Sequence, residues 1–558
     1  MVEQRLFANM VEGNERNSIK DKRQSRDIPR HFSHDDRSED DKDVIEEAKK
    51  DNDDAQSYSS AEDEPFWIDD LAGETMALTA ALKDAAIQNN LRTLRTLLEF
   101  GAVTPHTVER GTGRTAIWYA ACFGSLECLR ILADWAYDVA YNDYVARYPA
   151  KHNDDSSQSN NPAAHSAAQE TLLALLNQPT LWGSKPLLIA AARNHPSTVQ
   201  LLLENYFVDV NSTNGSGSGH GNTTAALIAA SEGHAEVLNI LAKHGADLDL
   251  PNENGTTPIM IAAQNGRVDI MTFLYLYGVN LNKLDENGMN CVALAAYHNH
   301  PSVVEFLLSI AEVVDATAIV NFNQPSGPME ETPLGIAAMK GHVNVLKALL
   351  KSPRVNLTST NSAGMNALFI ATKLHQVEVA QLICRQTRDR LNPVVNQKDR
   401  TSGWTPLYCA VAMNYHDLVE LLAPLSDMNV LCGLQGPGSI LTPVLVAAAA
   451  KDDYGDCLTL LQAGAFVDVM DGAGHTALGV AAKNGFFKVC DLLCQYGANI
   501  NHRSRKGGRT PLQKARKYKQ ARVVTLLERY QQQQQQTSTI HDSIQQFTAG
   551  AGNLLSGA

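Results

Sequence analysis

Two cysteines and two histidines near the C-terminus are residues whose types could bind a metal ion. Cys490 and Cys494 are four residues apart, so on a helix their thiols lie on the same face, one turn apart. His475 and His502 fall in turn sequences and do not complete the Cys/His spacing of a zinc site. We therefore expect both cysteines to be small buried hydrophobic residues, and we predict no metal ion and no cofactor.

Motifs for enzymatic chemistry are also absent from the sequence. It has no G-x-S-x-G, no H-E-x-x-H and no Walker-type lysine. The Gly-rich stretch at 211–222, NSTNGSGSGHGN, is not followed by G-K-[ST], so we interpret it as a lengthened hairpin loop. We predict that the protein is not an enzyme.

The cysteine content and the lack of long apolar runs indicate the cellular compartment in which the protein works. The nine cysteines are scattered without a C-x-x-C pair, which favours reduced thiols. The N-terminus has no apolar signal region, and no run of about eighteen apolar residues occurs, so no transmembrane segment is predicted. We expect a cytoplasmic protein, with the nucleus as the alternative.

The elements that would position functional residues follow a repeated pattern, clearest at 251–282. This stretch reads PNENGTTPIMIAAQNGRVDIMTFLYLYGVNLN. Thr257 and Pro258 suit the start of a short apolar helix, because Thr caps and Pro pre-sets φ. A break at Asn265-Gly266 separates it from a second apolar helix, which ends at Gly278. Two such short helices need copies of themselves on either side to bury their apolar faces.

The chain supplies those copies. The closest spacings between copies are thirty-three or thirty-four residues, with T-P-L-x-x-A-A opening the first helix and L-L-x-x-G-A closing the second. This pattern resembles the ankyrin repeat and implies an all-α ankyrin-repeat solenoid of about twelve units, including atypical ends. Equivalents of Thr257 occur at Ala80, Thr115, Lys185, Thr224, Asn290, Thr332, Asn366, Thr405, Thr442, Thr476 and Thr510.

The sequence departs from the family at one position. The His that usually follows T-P-L is absent from all the units and is replaced by residues such as Trp118, Met260, Phe369 and Tyr408. A hydrogen-bonding contribution is then missing. We therefore expect stability to depend more on apolar contacts between neighbouring units.

The repeat boundaries suggest five regions. Residues 169–176 (QETLLALL) form a candidate extra helix within the third region. The apolar cluster in EDEPFWIDDL at 62–71 either covers the open end of the first repeat or serves as a linear motif for a partner. The regions are a disordered acidic arm (1–75), a cap and second repeat (76–136), an insertion loop (137–180), the main array with short insertions (181–530), and a poly-Gln linker with a disordered tail (531–558).

The resemblance implies that partners bind the hairpin tips and the exposed side of the first helices, on the concave face. Several of these positions carry apolar or aromatic residues in the central and later units, which would form a stripe suited to a peptide or helix. For Met365 and Trp404, packing against the neighbouring hairpin is an equal alternative. The predicted partner-binding residues are Met289, Tyr297, His298, Met339, Met365, Trp404 and Met413.

Charge is unevenly distributed over the chain, whose formal net charge is -14. Residues 35–64 carry fourteen acidic against four basic residues, and residues 502–530 carry ten basic against one acidic. The basic end either binds an anionic partner (an acidic protein segment, lipid headgroups or nucleic acid) or is simply a polar cap. The leading function is thus a protein-interaction scaffold or adaptor, and the alternative is a regulatory or targeting protein. The predicted anionic-partner residues are Arg503, Arg505, Lys506, Arg509, Lys514, Lys517 and Lys519.

Overall fold

The structure is a computed structural model. It describes residues 71–101, 103–148, 161–215, 221–313, 320–386, 391–433, 441–505 and 508–536. The predictions for residues 1–70, for the tail at 537–558 and for Lys506 therefore lie outside the described residues.

The described chain is built almost entirely of short helices. Helices α5 and α18 are additional, and the others alternate as the first and second helix of successive units. In chain order they are α1 (Leu71–Ile87), α2 (Leu91–Glu99), α3 (Ala116–Cys122), α4 (Leu126–Arg147), α5 (Pro162–Leu176), α6 (Pro186–Ala192), α7 (Pro196–Glu204), α8 (Ala225–Glu232), α9 (Ala235–Lys243), α10 (Pro258–Gln264), α11 (Val268–Leu276), α12 (Cys291–Tyr297), α13 (Pro301–Val313), α14 (Pro333–Lys340), α15 (Val343–Lys351), α16 (Ala367–Lys373), α17 (Val377–Gln386), α18 (Leu391–Val395), α19 (Pro406–Met413), α20 (His416–Leu422), α21 (Val444–Ala450), α22 (Tyr454–Gln462), α23 (Ala477–Asn484), α24 (Phe487–Gln495), α25 (Pro511–Lys517) and α26 (521–536).

Most first helices begin where the repeat pattern predicts. Thr115, Thr224 and Asn366 cap theirs by accepting a backbone N–H with the side chain, which satisfies one of the unpaired donors at the helix start. Two predicted starts differ. Ala80 lies inside the longer α1, and after Thr442 the N-cap is Pro443.

Thr257 is a N-cap residue whose side chain makes no capping hydrogen bond. It is fully buried, and its Oγ1 has no hydrogen-bond partner among the described residues. Since an unpaired buried hydroxyl is destabilising, we expect Thr257→Val to raise the free energy of unfolding by about 1 kcal/mol. Thr224→Val is the matched control, because the Thr224 Oγ1 accepts a hydrogen bond from the Leu227 N–H over 3.2 Å. Loss of this hydrogen bond should lower the free energy of unfolding by about 1 kcal/mol. Urea titration of both variants checks the pair, and equal destabilisation would contradict the expectation.

Consecutive hairpins are joined by backbone hydrogen bonds. The Glu253 N–H donates to the Gly221 carbonyl and the Glu286 N–H to the Asn254 carbonyl, both over 3.0 Å. A second link uses side chains, as where the Asn282 Oδ1 accepts the Asn321 N–H over 2.8 Å. Each unit is thus held in register by its neighbour, which is the nearest-neighbour logic of a solenoid.

The core lies between the helix layers. In α12, the six residues from Cys291 to Ala296 are all buried, and the first six residues of α6, α8, α10, α14 and α16 are likewise buried. Cys490 is buried and Cys494 half-buried, and burial raises the pKa of both thiols, that of Cys494 to about 12. These two cysteines pack as small hydrophobic residues, as predicted.

Two predicted loop or linker segments are instead helical. The insertion at 137–180 contains the end of α4 and all of α5, which pack together and bring the Tyr137 Oη within 2.5 Å of the His165 Nδ1. The loop prediction is therefore wrong for 137–147 and 162–168, whereas the candidate extra helix at 169–176 is confirmed as part of α5, and 149–160 lies outside the described residues. The glutamines at 531–536 continue α26 rather than forming a linker, in keeping with the good helix propensity of Gln.

Candidate functional site

Three of the predicted partner-binding residues come together in one cluster. Met339, Met365 and Trp404 pack with the buried side chains of Phe369 and Cys409. Met365 is only 8% exposed. The packing alternative therefore describes Met365, whereas Met339 and Trp404 are only half-buried at the edge of this cluster.

The other four partner-binding residues are more varied. Tyr297 and Met289 are half-buried, whereas Met413 is 43% exposed. The Lys340 Nζ lies 4.2 Å from the centroid of the Tyr297 ring, a cation–π contact between neighbouring units. Burial, together with nearby positive groups, lowers the pKa of His298 to about 4, so this histidine is neutral at physiological pH.

The basic residues of the last unit are mostly exposed, with one exception. Lys514 is buried, and its Nζ lies 3.0 Å from where a Cβ on Gly479 would stand, so the missing side chain at Gly479 makes room for it. Burial lowers the pKa of Lys514, against the opposing effect of Asp471. The prediction that Lys514 belongs to an anion-binding surface is wrong, because the side chain turns inward. The exposed members of the set are Arg503, Arg505, Arg509, Lys517 and Lys519.

A polar network that the sequence reading missed lies at the start of the array. Glu109, in the hairpin before α3, accepts hydrogen bonds from the Lys83 Nζ (3.1 Å), the Tyr119 Oη (2.7 Å) and the Thr112 Oγ1 (2.5 Å). These bonds join α1, the hairpin and α3, and so fix the wall of a groove between the first two units.

The ionisation states in this network are stable near neutral pH. Burial would raise the pKa of the Glu109 carboxyl, but its three hydrogen-bond donors lower it below the ordinary value. Burial and the Glu109 hydrogen bond raise the pKa of Tyr119 to about 12. Burial would lower the pKa of Lys83, but Tyr119 and Glu109 raise it overall. None of these groups is poised to exchange a proton at neutral pH, so the network suits binding rather than acid–base catalysis.

Beside this network, an arginine is surrounded by aromatic rings. The Arg114 Cζ lies 4.5 Å from the ring centroid of Trp118, 5.9 Å from that of Tyr119 and 5.8 Å from that of Trp182. Trp118 is buried, and its Nε1 donates to the Ser184 Oγ over 3.1 Å. Trp118 occupies the position at which the repeat usually has a His. Its indole N–H still makes a hydrogen bond, and that bond reaches Ser184 in the neighbouring unit.

The rim of this cluster is exposed. Trp182 and Leu181, at the tip of the next hairpin, are 47% and 70% exposed, and Val108 on the preceding hairpin is 41% exposed. Between α1, the hairpin and α3 lies a pocket of about 600 Å³, whose wall includes Lys83, Glu109 and Tyr119. Trp, Tyr and Arg around a recess are the residue types that dominate binding energy at protein interfaces.

One sequence signal could have identified this surface. Trp182 lies in the hairpin before Lys185, and Arg114 in the hairpin before Thr115, so both fall at the hairpin positions that the repeat assigns to partner binding. Sequence reasoning weighed those positions only in the central and later units.

Comparison with known families matches the repeat to models described as ankyrin repeats. A model of three copies matches residues 148–252, 226–318, 311–392, 334–431 and 445–537, and a model of many copies matches 82–133. No helix in the described part of the chain combines the length and apolar character needed to span a bilayer. Ankyrin repeats are in general protein–protein interaction modules and are typically non-enzymatic. With helix pairs, linked hairpins and matched residues covering most of its length, the chain belongs to the ankyrin-repeat family.

Proposed function

We propose that this protein is an interaction scaffold or adaptor that binds a partner protein on the face formed by its hairpins and first helices. The single observation that carries the proposal is the Arg114 cluster, where buried and exposed aromatic rings surround an arginine beside a pocket. The Lys83 ammonium and the Tyr119 hydroxyl beside this cluster are already paired with Glu109, so a partner that covers them need not supply hydrogen bonds to those two groups.

The partner feature that fits this surface is a short peptide segment with an apolar or aromatic anchor. The anchor would enter the pocket beside Tyr119 and Arg114, and the exposed Trp182 ring on the next hairpin, 5.8 Å from the Arg114 Cζ, would contact the residues that flank the anchor. Exposed aromatic and aliphatic side chains lose water on binding and contribute most when they surround a desolvated centre.

Further along the array, Tyr297, Lys340 and Met413 offer a second contact region. Tyr297 is held by the Lys340 cation, and Met413 projects to solvent with an adaptable thioether side chain. A partner that spans several units would use both regions, because successive first helices present equivalent positions along the array.

Trp182→Ala tests the primary contact region. We expect this change to weaken partner binding by about 2 kcal/mol, or roughly thirtyfold, because it removes an exposed interface tryptophan. Since nearly half of the side chain faces solvent, the free energy of unfolding should change by only about 0.5 kcal/mol. Selection of peptides from a displayed library against the full chain, followed by affinity measurements on the variant, checks both values.

Phe466→Ala is the matched control for Trp182→Ala. Phe466 is 69% exposed and lies more than two hundred residues further along the chain, so its loss should leave binding of the selected peptides unchanged. Equal loss of binding in both variants, or none in Trp182→Ala, would contradict the proposed contact region.

A second candidate function rests on the exposed cations of the last unit. Arg503, Arg509 and Lys519 are exposed, and the Arg516 guanidinium is paired with Glu528 over 2.6 Å. A regulatory or targeting role would use these cations to bind an acidic protein segment, anionic lipid headgroups or nucleic acid. Binding of that kind should fall steeply between 50 and 200 mM salt (roughly the range over which such contacts are screened), whereas binding at the Arg114 cluster should persist.

We further infer that the protein works in a reducing compartment, the cytoplasm or the nucleus. All nine cysteines are free thiols, and eight of them are buried. Burial raises the pKa of Cys291 to about 12 and that of Cys384 to about 11, which keeps these groups protonated and unreactive.

A further inference from the structure

A histidine and two aspartates from neighbouring units meet on a part of the array remote in sequence from the Arg114 cluster. His416 is the first residue of α20, Asp453 is the N-cap of α22, and Asp456 lies in the first turn of α22. The His416 Nδ1 is 2.9 Å from the Asp456 Oδ1 and 3.4 Å from the Asp453 Oδ2. One ligand atom from each residue falls within 4.8 Å of the other two.

A second observation distinguishes this group from a surface ion pair. Asp456 is only 2% exposed, yet its Oδ2 is buried without a hydrogen-bond partner within the described ranges. A buried carboxylate oxygen that no donor satisfies is costly, and either a proton shared with Asp453 or a bound cation would remove that cost. The His416 side chain is 59% exposed, so solvent and ions reach the group from that side.

The donor set and its spacing fit a transition-metal ion. Zinc binds imidazole nitrogen and carboxylate oxygen at about 2.0–2.2 Å, which places tetrahedral ligand atoms about 3.3 Å apart. The two His416 distances, 2.9 and 3.4 Å, bracket that value. We propose that His416, Asp453 and Asp456 form a binding site for a zinc-like divalent cation.

Such a cation would join two units of the solenoid. His416 belongs to the second helix of one unit, and both aspartates belong to the next unit. Three protein ligands leave at least one position for water, which is the arrangement of an exchangeable site rather than a closed structural one. Metal binding would therefore clamp α20 to α22 and stabilise this junction against local opening.

A comparable pair in the chain shows what is special about this group. The His475 Nδ1 lies 3.0 Å from the Asp471 Oδ2, so it has the same imidazole–carboxylate contact. That pair lies within one unit, and no second carboxylate joins it to form a three-residue group among the described residues. His475 therefore serves as a matched control that keeps the ion pair without the metal site.

The test is titration of the full chain, stripped with EDTA, with Zn²⁺ by calorimetry and with Co²⁺ by visible absorption. We expect one binding equivalent with cobalt bands of an oxygen and nitrogen site and no thiolate charge-transfer band. His416→Ala should abolish this equivalent. Asp453→Asn should weaken zinc binding by at least about tenfold. Loss of a residue that only supports a metal ligand already lowers affinity by about that factor, and Asp453 is itself a ligand in this proposal.

Two controls keep the outcome interpretable. Asp453→Asn retains a side-chain oxygen for the N-cap, so α22 should still fold. His475→Ala should bind zinc as wild type does. Zinc binding unchanged by His416→Ala, a thiolate band with cobalt, or no saturable equivalent at all would overturn the proposal.

Discussion

Replacing Trp118 by alanine should destabilise the first units by about 3–5 kcal/mol, the typical cost of removing a buried tryptophan side chain. Trp118 is 1% exposed and is among the largest fully buried side chains in the described residues. Its ring contacts Tyr119 edge-on, with centroids 5.2 Å apart, and supports the Arg114 guanidinium. Removing the indole leaves a cavity and takes away the surface on which Arg114 is stacked.

Trp118→Phe separates packing from hydrogen bonding. This variant keeps an aromatic ring but loses the donor to Ser184, so we expect a smaller cost of about 1–2 kcal/mol. Ser184→Ala removes the other side of the same bond. If the bond is the main difference, Ser184→Ala should have little further effect in the Trp118→Phe background.

Hydrogen exchange followed by mass spectrometry is the suitable measurement, because a long repeat array need not unfold in one step. Trp118→Ala should speed amide exchange in 103–148 and in the adjoining unit around α6. Exchange in 441–505 should stay at the wild-type rate, since those units do not contact Trp118. Uniform acceleration along the whole chain would contradict this expectation.

Acidification should destabilise the central units through their half-buried histidines. The pKa of His298 is lowered to about 4 by burial and by the nearby His300, Lys340 and His342. Burial also lowers the pKa of His300 and His342, although each gains a hydrogen bond to a backbone carbonyl. The His342 Nε2 lies 3.1 Å from the Tyr297 carbonyl oxygen, so this cluster joins two units.

The direction in which stability changes with pH follows from the lowered pKa values of these histidines. Below an ordinary pKa near 6.5 the unfolded chain binds protons at these histidines, while the folded chain does not, so stability falls with falling pH. The stabilisation is complete above about pH 6.5 and is lost progressively towards pH 4. His298 alone should account for about 1–2 kcal/mol at pH 5, allowing for solvent screening of its partly exposed ring.

Urea unfolding at pH 7.5 and pH 5.0 provides the measurement, monitored by hydrogen exchange in 291–351. His298→Gln should reduce the difference between the two pH values, because glutamine does not titrate. His106→Gln, at an exposed histidine in a hairpin, is the control and should leave the difference unchanged. An unchanged pH dependence in His298→Gln would exclude His298 as its source.

Much of the fold could be predicted from sequence because each unit repeats the same local instructions. Pro258 and Pro333 occupy the first helical turn as predicted, and Thr332 caps the helix that follows it. In the central units, as in α10 and α12, the apolar run of the first helix is fully buried, as its apolar composition predicts. Local signals succeed when the same short-range contacts recur in every unit.

The same signals were insufficient for residues just outside the repeat core. Met365 directly precedes the N-cap of one first helix, and Met413 is the last residue of another. The first is buried in a cluster and the second projects to solvent. The difference depends on what the neighbouring unit places opposite each side chain. Trp404, which packs against the cluster beside Met365, is one such neighbour.

The sequence alone determined the repeat, its period, most of the helix starts and the lack of recognisable enzyme motifs. Those properties depend on residues within one unit, or on their recurrence in the next. Only the tertiary structure decided that Lys514 turns inward beside Gly479, and that Arg114 lies among rings from two units. It alone brought His416 to Asp456, forty residues further along the chain. Contacts between units depend on side-chain size and direction across the junction, and no single unit encodes both sides of that contact.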